Sequence, residues 1–160
     1  MASLPQLLEE DIKQLDAALD DLLVKSEASA GLIIDKGGFL ITQRGDFRCF
    51  DTTSLAALAA ASYAATQYIA GIVSETSFNI VYQQGQNFSL LVQTVDEHCL
   101  LLVIFKANAS VGAVKYFATA IIPLIAEQLK IARERDPSAC LDLSMLNIAD
   151  PSPWFRKNKC

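Results

Sequence analysis

The chain has 160 residues, 52% hydrophobic and 19% charged, with a net charge of −5 and a pI near 4.8. That length builds one domain with a sizeable core, and the acidic balance argues against a nucleic-acid binder, which needs a basic field to displace counterions from phosphate. The excess of apolar over charged residues points to a folded surface partly covered by another chain.

The N-terminus, MASLPQLLEEDIKQ, has acids where a secretion signal carries bases, and it lacks an uninterrupted apolar stretch, so a cytoplasmic location is expected. Ser3 followed by Leu4-Pro5 reads as a helix start. Leu8, Ile12, Leu15, Leu19 and Leu22 then recur at helical spacing to about Lys25, with acids on the other side. Two short β-rich runs follow, 31–35 and 39–42, joined by Lys36-Gly37-Gly38, where glycines supply the positive φ of a tight hairpin. A polar loop, QRGDFRCFD, leads into the next helix, which Asp51, Thr52 or Thr53 can each cap.

That helix carries no charge at all between Asp51 and Glu75. At 100° per residue, Leu55, Leu58, Ser62, Ala65, Ile69 and Ile72 form one stripe, expected to pack on a sheet because it holds the large side chains. A second stripe, Thr53, Ala57, Ala60, Ala64, Gln67 and Gly71, holds small uncharged residues and is expected to face a partner. Thr52, Thr53, Ser54, Ser62, Thr66, Gln67 and Ser74, together with a position between strands, argue against membrane insertion.

Three further strands read as 78–83, 88–95 and 99–105. The last, CLLLVIF, is apolar at every position, which requires helices on both faces of the sheet. Ser110 caps a final helix with Val114, Phe117, Ile121, Ile125 and Leu129 on one stripe; Pro123 should kink it and Asp136-Pro137 should end it. The order α-ββ-α-βββ-α with short connections predicts an α/β (α+β) three-layer sandwich around an antiparallel five-stranded sheet. Residues 1–136 are expected to form this domain and 137–160 a tail rich in apolar residues.

Chemistry-bearing patterns are sparse. Cys49, Cys99, Cys140 and Cys160 form no C-x-x-C pair and are expected to be reduced thiols. His98, the single histidine, sits in a turn, so no metal, no cofactor and no catalytic triad is expected. With Cys160 last, no prenylation motif is expected.

The hairpin IIDKGGFLI, the helix start DTTSLAALAA, the strand LLLVIF and the helix entry SVGAVK together resemble a Roadblock domain, from about Pro5 to Arg135. Within that family the bacterial MglB type, partner of the Ras-like GTPase MglA in cell-polarity and motility control, is the most similar, and a C-terminal tail is shared. The sequence departs from the pattern at Gln67 and Tyr68, which stand where glycines are expected. The resemblance implies a homodimer with sheets joined through the third strand and the two uncharged helices side by side. It also implies a GTPase-activating partner with no active site of its own, which repositions the GTPase's catalytic residues without donating an arginine. The expected platform residues are Ala57, Ala60, Ala64, Gln67, Tyr68 and Gly71. The expected dimer contacts are Ala56, Tyr63, Phe78, Ile80 and Tyr82.

Arg44 and Arg48, in the loop before the platform helix, are the only candidates for an arginine supplied in trans and are expected instead to be ordinary solvated loop residues. An adaptor or scaffold role without effect on GTP turnover is the alternative, and a small-ligand sensor or enzyme ranks below both. In the tail, Trp154 and Phe155 are of the types that anchor interfaces, with Arg156, Lys157 and Lys159 able to steer them electrostatically. The tail is expected to be mobile in the free dimer and to dock on the GTPase; the competing use is a segment folded over its own dimer.

Overall fold

The computed structural model describes residues 5–135. Eight elements follow in the expected order: α1 (Glu9–Ser26), β1 (Ala30–Asp35), β2 (Leu40–Gly45), α2 (Thr52–Ile72), β3 (Ile80–Gln84), β4 (Phe88–Thr94), β5 (Cys99–Lys106) and α3 (Val111–Glu134). The strands form one antiparallel sheet in the order β2-β1-β5-β4-β3. β5 is therefore central, paired on one side with β1 and on the other with β4, and its apolar run is buried from Cys99 to Phe105.

The period of two along β5 divides the core. Leu101, Val103 and Phe105 point into a cluster with Leu15, Leu19 and Leu22 of α1 and Val114, Ile121, Ile125 and Leu129 of α3. Leu100, Leu102 and Ile104 point the other way, onto Ala56, Ala59, Ala60 and Tyr63 of α2. One face of the sheet thus carries two helices and the other carries one, as the unbroken apolar strand requires.

The caps differ in part from expectation. Ser3 lies outside the described residues, and α1 starts later, where the backbone N–H of Leu8 donates to Asp11 Oδ2 at 2.7 Å. Of the three candidates for α2, Asp51 is the cap, accepting from Ser54 N at 3.2 Å. Ser110 caps α3 as expected, accepting from Ala113 N. α3 continues through Pro123 to Glu134 without a break.

At the β1–β2 turn Gly38 has φ +98°, and a Cβ there would stand 3.1 Å from Ala57 Cα. The hairpin tip is thereby seated on the α2 backbone, and both the conformation and the close approach require glycine. β2 and β3 are the two sheet edges.

Candidate functional site

α2 is the element that sets this domain apart, and its rotation about its own axis decides which side chains it shows. The residues it buries are Ala56, Ala59, Ala60, Tyr63 and Ala70. Of the large side chains expected against the sheet, Leu55 packs on the core but the others point away: Leu58 is 68% exposed, Ile69 52% and Ile72 81%, with Tyr68 81% beside them. This corrects the expected sheet-facing stripe, while Thr53, Ala57, Ala64 and Gly71 of the other stripe are exposed as expected. Small residues face inward because they let the helix lie close to the sheet and to the hairpin tip at Gly38; the bulky apolar residues are left for the outside.

The expected site residues separate accordingly. Ala57, Ala64, Tyr68 and Gly71 are exposed on α2, whereas Ala60, expected on the platform, is buried at 4% in the core against the sheet. Ala56 and Tyr63, expected at a dimer contact, are likewise core residues of the single chain. Tyr63 is fixed there by its hydroxyl, 2.6 Å from Thr94 Oγ1, and by Lys36 Nζ over its ring at 5.7 Å. Gln67 is half-buried and bridges to the β3 side of the fold: its Nε2 donates to Phe78 O at 3.0 Å and its Oε1 accepts from Phe78 N at 3.2 Å. The side chain that departs from the family pattern therefore satisfies both backbone groups of the residue leading into the edge strand.

Phe78 and Ile80 are half-buried and Tyr82 is 40% exposed, its ring stacked on Phe105 with centroids 6.1 Å apart. They lie on or just before β3, whose outer backbone groups have no strand beside them in the sheet. Leu58, Ile69 and Ile72 were missed by sequence reasoning as surface residues, and Phe39, 62% exposed at the hairpin tip next to Gly38, was missed altogether. With a mean hydropathy of 1.3, α2 is long and apolar enough to cross a membrane, yet it forms a layer of this fold through Ala56, Ala59, Ala60 and Tyr63.

The two arginines between β1 and α2 are engaged within the chain, Arg44 on the α1 side of the sheet. Arg44 Nε and Nη2 reach the Asp20 carboxylate at 2.8 and 3.0 Å, and Arg48 Nη2 reaches Asp46 Oδ2 at 2.6 Å. The hydrogen bonds from Arg48 hold the Asp46 carboxyl at about 2, below its ordinary 3.8. Cys49 is exposed, while Cys99 is buried, and its burial, reinforced by nearby Asp96, pushes the thiol up to about 11. A thiol so held stays protonated and is a poor nucleophile or metal ligand. Among the described residues no group of His, Cys, Asp or Glu is arranged to hold a metal. His98 lies in the β4–β5 turn, its N–H donating to Asp96 Oδ1. Cys140, Cys160, Trp154 and Phe155 lie outside the described residues.

No protein-family model matches the chain, and no curated protein does. Solved structures do. MglB of Myxococcus xanthus superposes with a TM-score of 0.74 at 28% identity, covering 81% of this chain and 97% of that one. The gliding protein MglB of Thermus thermophilus gives 0.75 at 26% identity, covering 82% and 100%. A Roadblock/LC7 domain of Streptomyces avermitilis gives 0.65 at 18% identity, covering 72% and 97%, and bears on the fold alone.

Proposed function

From a chain that has the Roadblock fold and is similar to MglB over most of its length, we propose a homodimeric regulator of a Ras-like small GTPase of the MglA type. It acts in the cytoplasm, in control of cell polarity or motility. The observation that carries this reading is the outer face of α2, where Leu58, Tyr68, Ile69 and Ile72 stand exposed on a helix without a single charge. A solvated helix back carries Lys and Glu; an apolar one on a rigid element is suited to a partner.

The role proposed for that face is to order the GTPase's switch segments, with the GTPase's own residues doing the chemistry. Help of this kind is positional, because phosphoryl transfer depends on placing the water-orienting group and on charge at the γ-phosphate. The ion pairs of Arg44 with Asp20 and of Arg48 with Asp46 support a mechanism without an arginine supplied in trans. The platform residues we propose are Ala57, Leu58, Ala64, Tyr68, Gly71 and Ile72. For the dimer we propose pairing of two β3 edges through 78–82, which removes an apolar edge that would otherwise template aggregation. Trp154 and Phe155 are proposed to add a weaker second contact with the GTPase.

Single-turnover GTP hydrolysis by an MglA-type GTPase, with and without this protein, tests the reading. Stimulation that Ala64→Arg abolishes while the fold is kept is the expected outcome. Binding without stimulation would instead assign an adaptor role.

A further inference from the structure

The chain continues past the described residues, and the surface where it leaves suggests where its last part rests. Arg135, the last described residue, is held at the start of α1 by Asp11, with Nη1 2.7 Å from Oδ2 and Nη2 2.9 Å from Oδ1. The exit point is therefore fixed. Starting beside it at Arg133 and Glu134 and running about three turns back along α3 to Pro123, the helix and the β4–β5 turn line an open cleft of about 590 Å³. Pro123 and Ala126 give it an apolar floor, and Glu97, Glu127, Glu134 and Lys130 stand around it. Arg133 and Asp96, on the same wall, satisfy each other at 2.7 Å. Among the described residues Glu97, Glu127 and Glu134 form no ion pair, so with Lys130 the only rim cation outside the Arg133–Asp96 pair the rim carries a surplus of acids.

The chemistry missing from that cleft is supplied by the chain's own last segment, PSPWFRKNKC, which holds Trp154, Phe155, Arg156, Lys157 and Lys159 and no acidic side chain. Reach favours the match. A flexible stretch as long as that from Arg135 to Trp154 spans about 25 Å root-mean-square, so a seat beside the exit meets the aromatic pair at an effective concentration on the order of millimolar. A contact too weak to form between separate molecules is then occupied within one.

We propose that in the free protein this segment is seated in the α3/β4–β5 cleft, Trp154 and Phe155 over Pro123 and Ala126, the three cations against Glu97, Glu127 and Glu134. α3 and α2 lie on opposite faces of the sheet, so the seated segment is held away from the outer face of α2. A GTPase docked there has to draw the segment out before using it as a second contact. That consequence rests on the function proposed above; the seat does not.

Trp154 is the only tryptophan in the chain, so its fluorescence reports the seat in the full-length protein with no GTPase present. At low salt the acrylamide quenching constant should fall well below that of N-acetyltryptophanamide, because the seated indole has one face covered. Roughly 0.5 M salt, where screening acts within a few ångströms, should restore free quenching. So should Glu97→Lys combined with Glu127→Lys, two exposed positions whose exchange leaves the circular dichroism unchanged. Quenching at low salt as free as in the reference compound overturns the proposal, and so does shielding that neither salt nor charge reversal moves. Should the double variant fail to fold, the salt titration of the unaltered chain decides by the same two outcomes. Hydrolysis assays play no part in this test, so a failed seat and a failed GTPase reading are told apart.

Discussion

The two helical layers of this domain solve the same packing problem with different buried side chains, and only one of them carries charge outside. α1 and α3 bury leucines, isoleucines and valines against the sheet and turn outward both charge, including the Glu9–Lys13 and Asp21–Lys25 ion pairs, and single apolar side chains such as Val24, Tyr116 and Leu124. α2 buries alanines and one tyrosine and turns Leu58, Tyr68, Ile69 and Ile72 outward. The α1/α3 layer is thus built chiefly for stability, its apolar side chains placed in the core and its helices tied together by buried Asp11. The α2 layer keeps large apolar side chains on the outside. The apolar content of an element therefore says nothing of which side it faces; the size of the side chains the neighbouring layer can accommodate decides that.

Different substitutions disrupt the two layers. The largest effect is expected from Ala60→Arg, which forces a guanidinium into the space between α2 and the sheet and should cost several kcal/mol, roughly enough to unfold a domain of this size. Thermal unfolding with and without the substitution checks it. In the other layer, Asp11→Ala removes the buried partner of Arg135 and Gln128 together with the cap on Leu8, at a cost of about 3 kcal/mol.

The same aspartate gives the α1/α3 layer a pH signature. Arg135 first, then the Leu8 N–H and Gln128, hold its carboxyl at about 2 against an ordinary 3.8, while burial opposes them. The folded value is the lower one, so the contribution is fully present above the unfolded value and is lost as pH falls from there through about 2. Denaturation profiles across that window should flatten in Asp11→Asn.

Smaller effects test how closely α2 sits. Gly38→Ala combines a left-handed φ of +98° with a 3.1 Å approach to Ala57 Cα, and about 1–2 kcal/mol of lost stability is expected. Tyr63→Phe deletes the hydroxyl bonded to Thr94 and should cost about 1 kcal/mol. Both are read from denaturant midpoints.

Much of this was legible in the sequence, for physical reasons that also mark where legibility ended. The unbroken run CLLLVIF required a strand covered on both faces, and it became the central strand. Ser110 and the α3 stripe could be placed because polar residues on the opposite side of that helix gave the periodicity a direction. The α2 helix offered no such contrast. With no charge on either stripe, Leu55–Ile72 and Thr53–Gly71 were two apolar faces, and the assumption that the larger side chains go inside put Leu58, Ile69 and Ile72 against the sheet where Ala56, Ala59, Ala60 and Tyr63 lie. Ala60 was misplaced for that reason, while Ala56 and Tyr63 were put at a dimer contact by the resemblance and are core residues of the single chain. The correct signal was indirect: Gly37-Gly38 at the hairpin tip allows a close neighbour, and only alanines on the helix match such an approach. The Gln67 bridge to Phe78 depends on a contact across 11 residues that no local pattern encodes.

The smallest effect on stability belongs to the outer face, and it leads to the most direct test. Leu58→Arg with Ile72→Arg adds charge where α2 is exposed and should change folding free energy by less than about 0.5 kcal/mol per site. The measurement is single-turnover GTP hydrolysis by an MglA-type GTPase titrated with this doubly substituted protein, its circular dichroism and sedimentation matching the unaltered chain. If the outer face of α2 is the platform, stimulation falls by at least about tenfold, the loss of an anchored apolar contact of roughly 1.4 kcal/mol or more. Stimulation at the unaltered level would contradict that role and remove the outer face of α2 from the interaction.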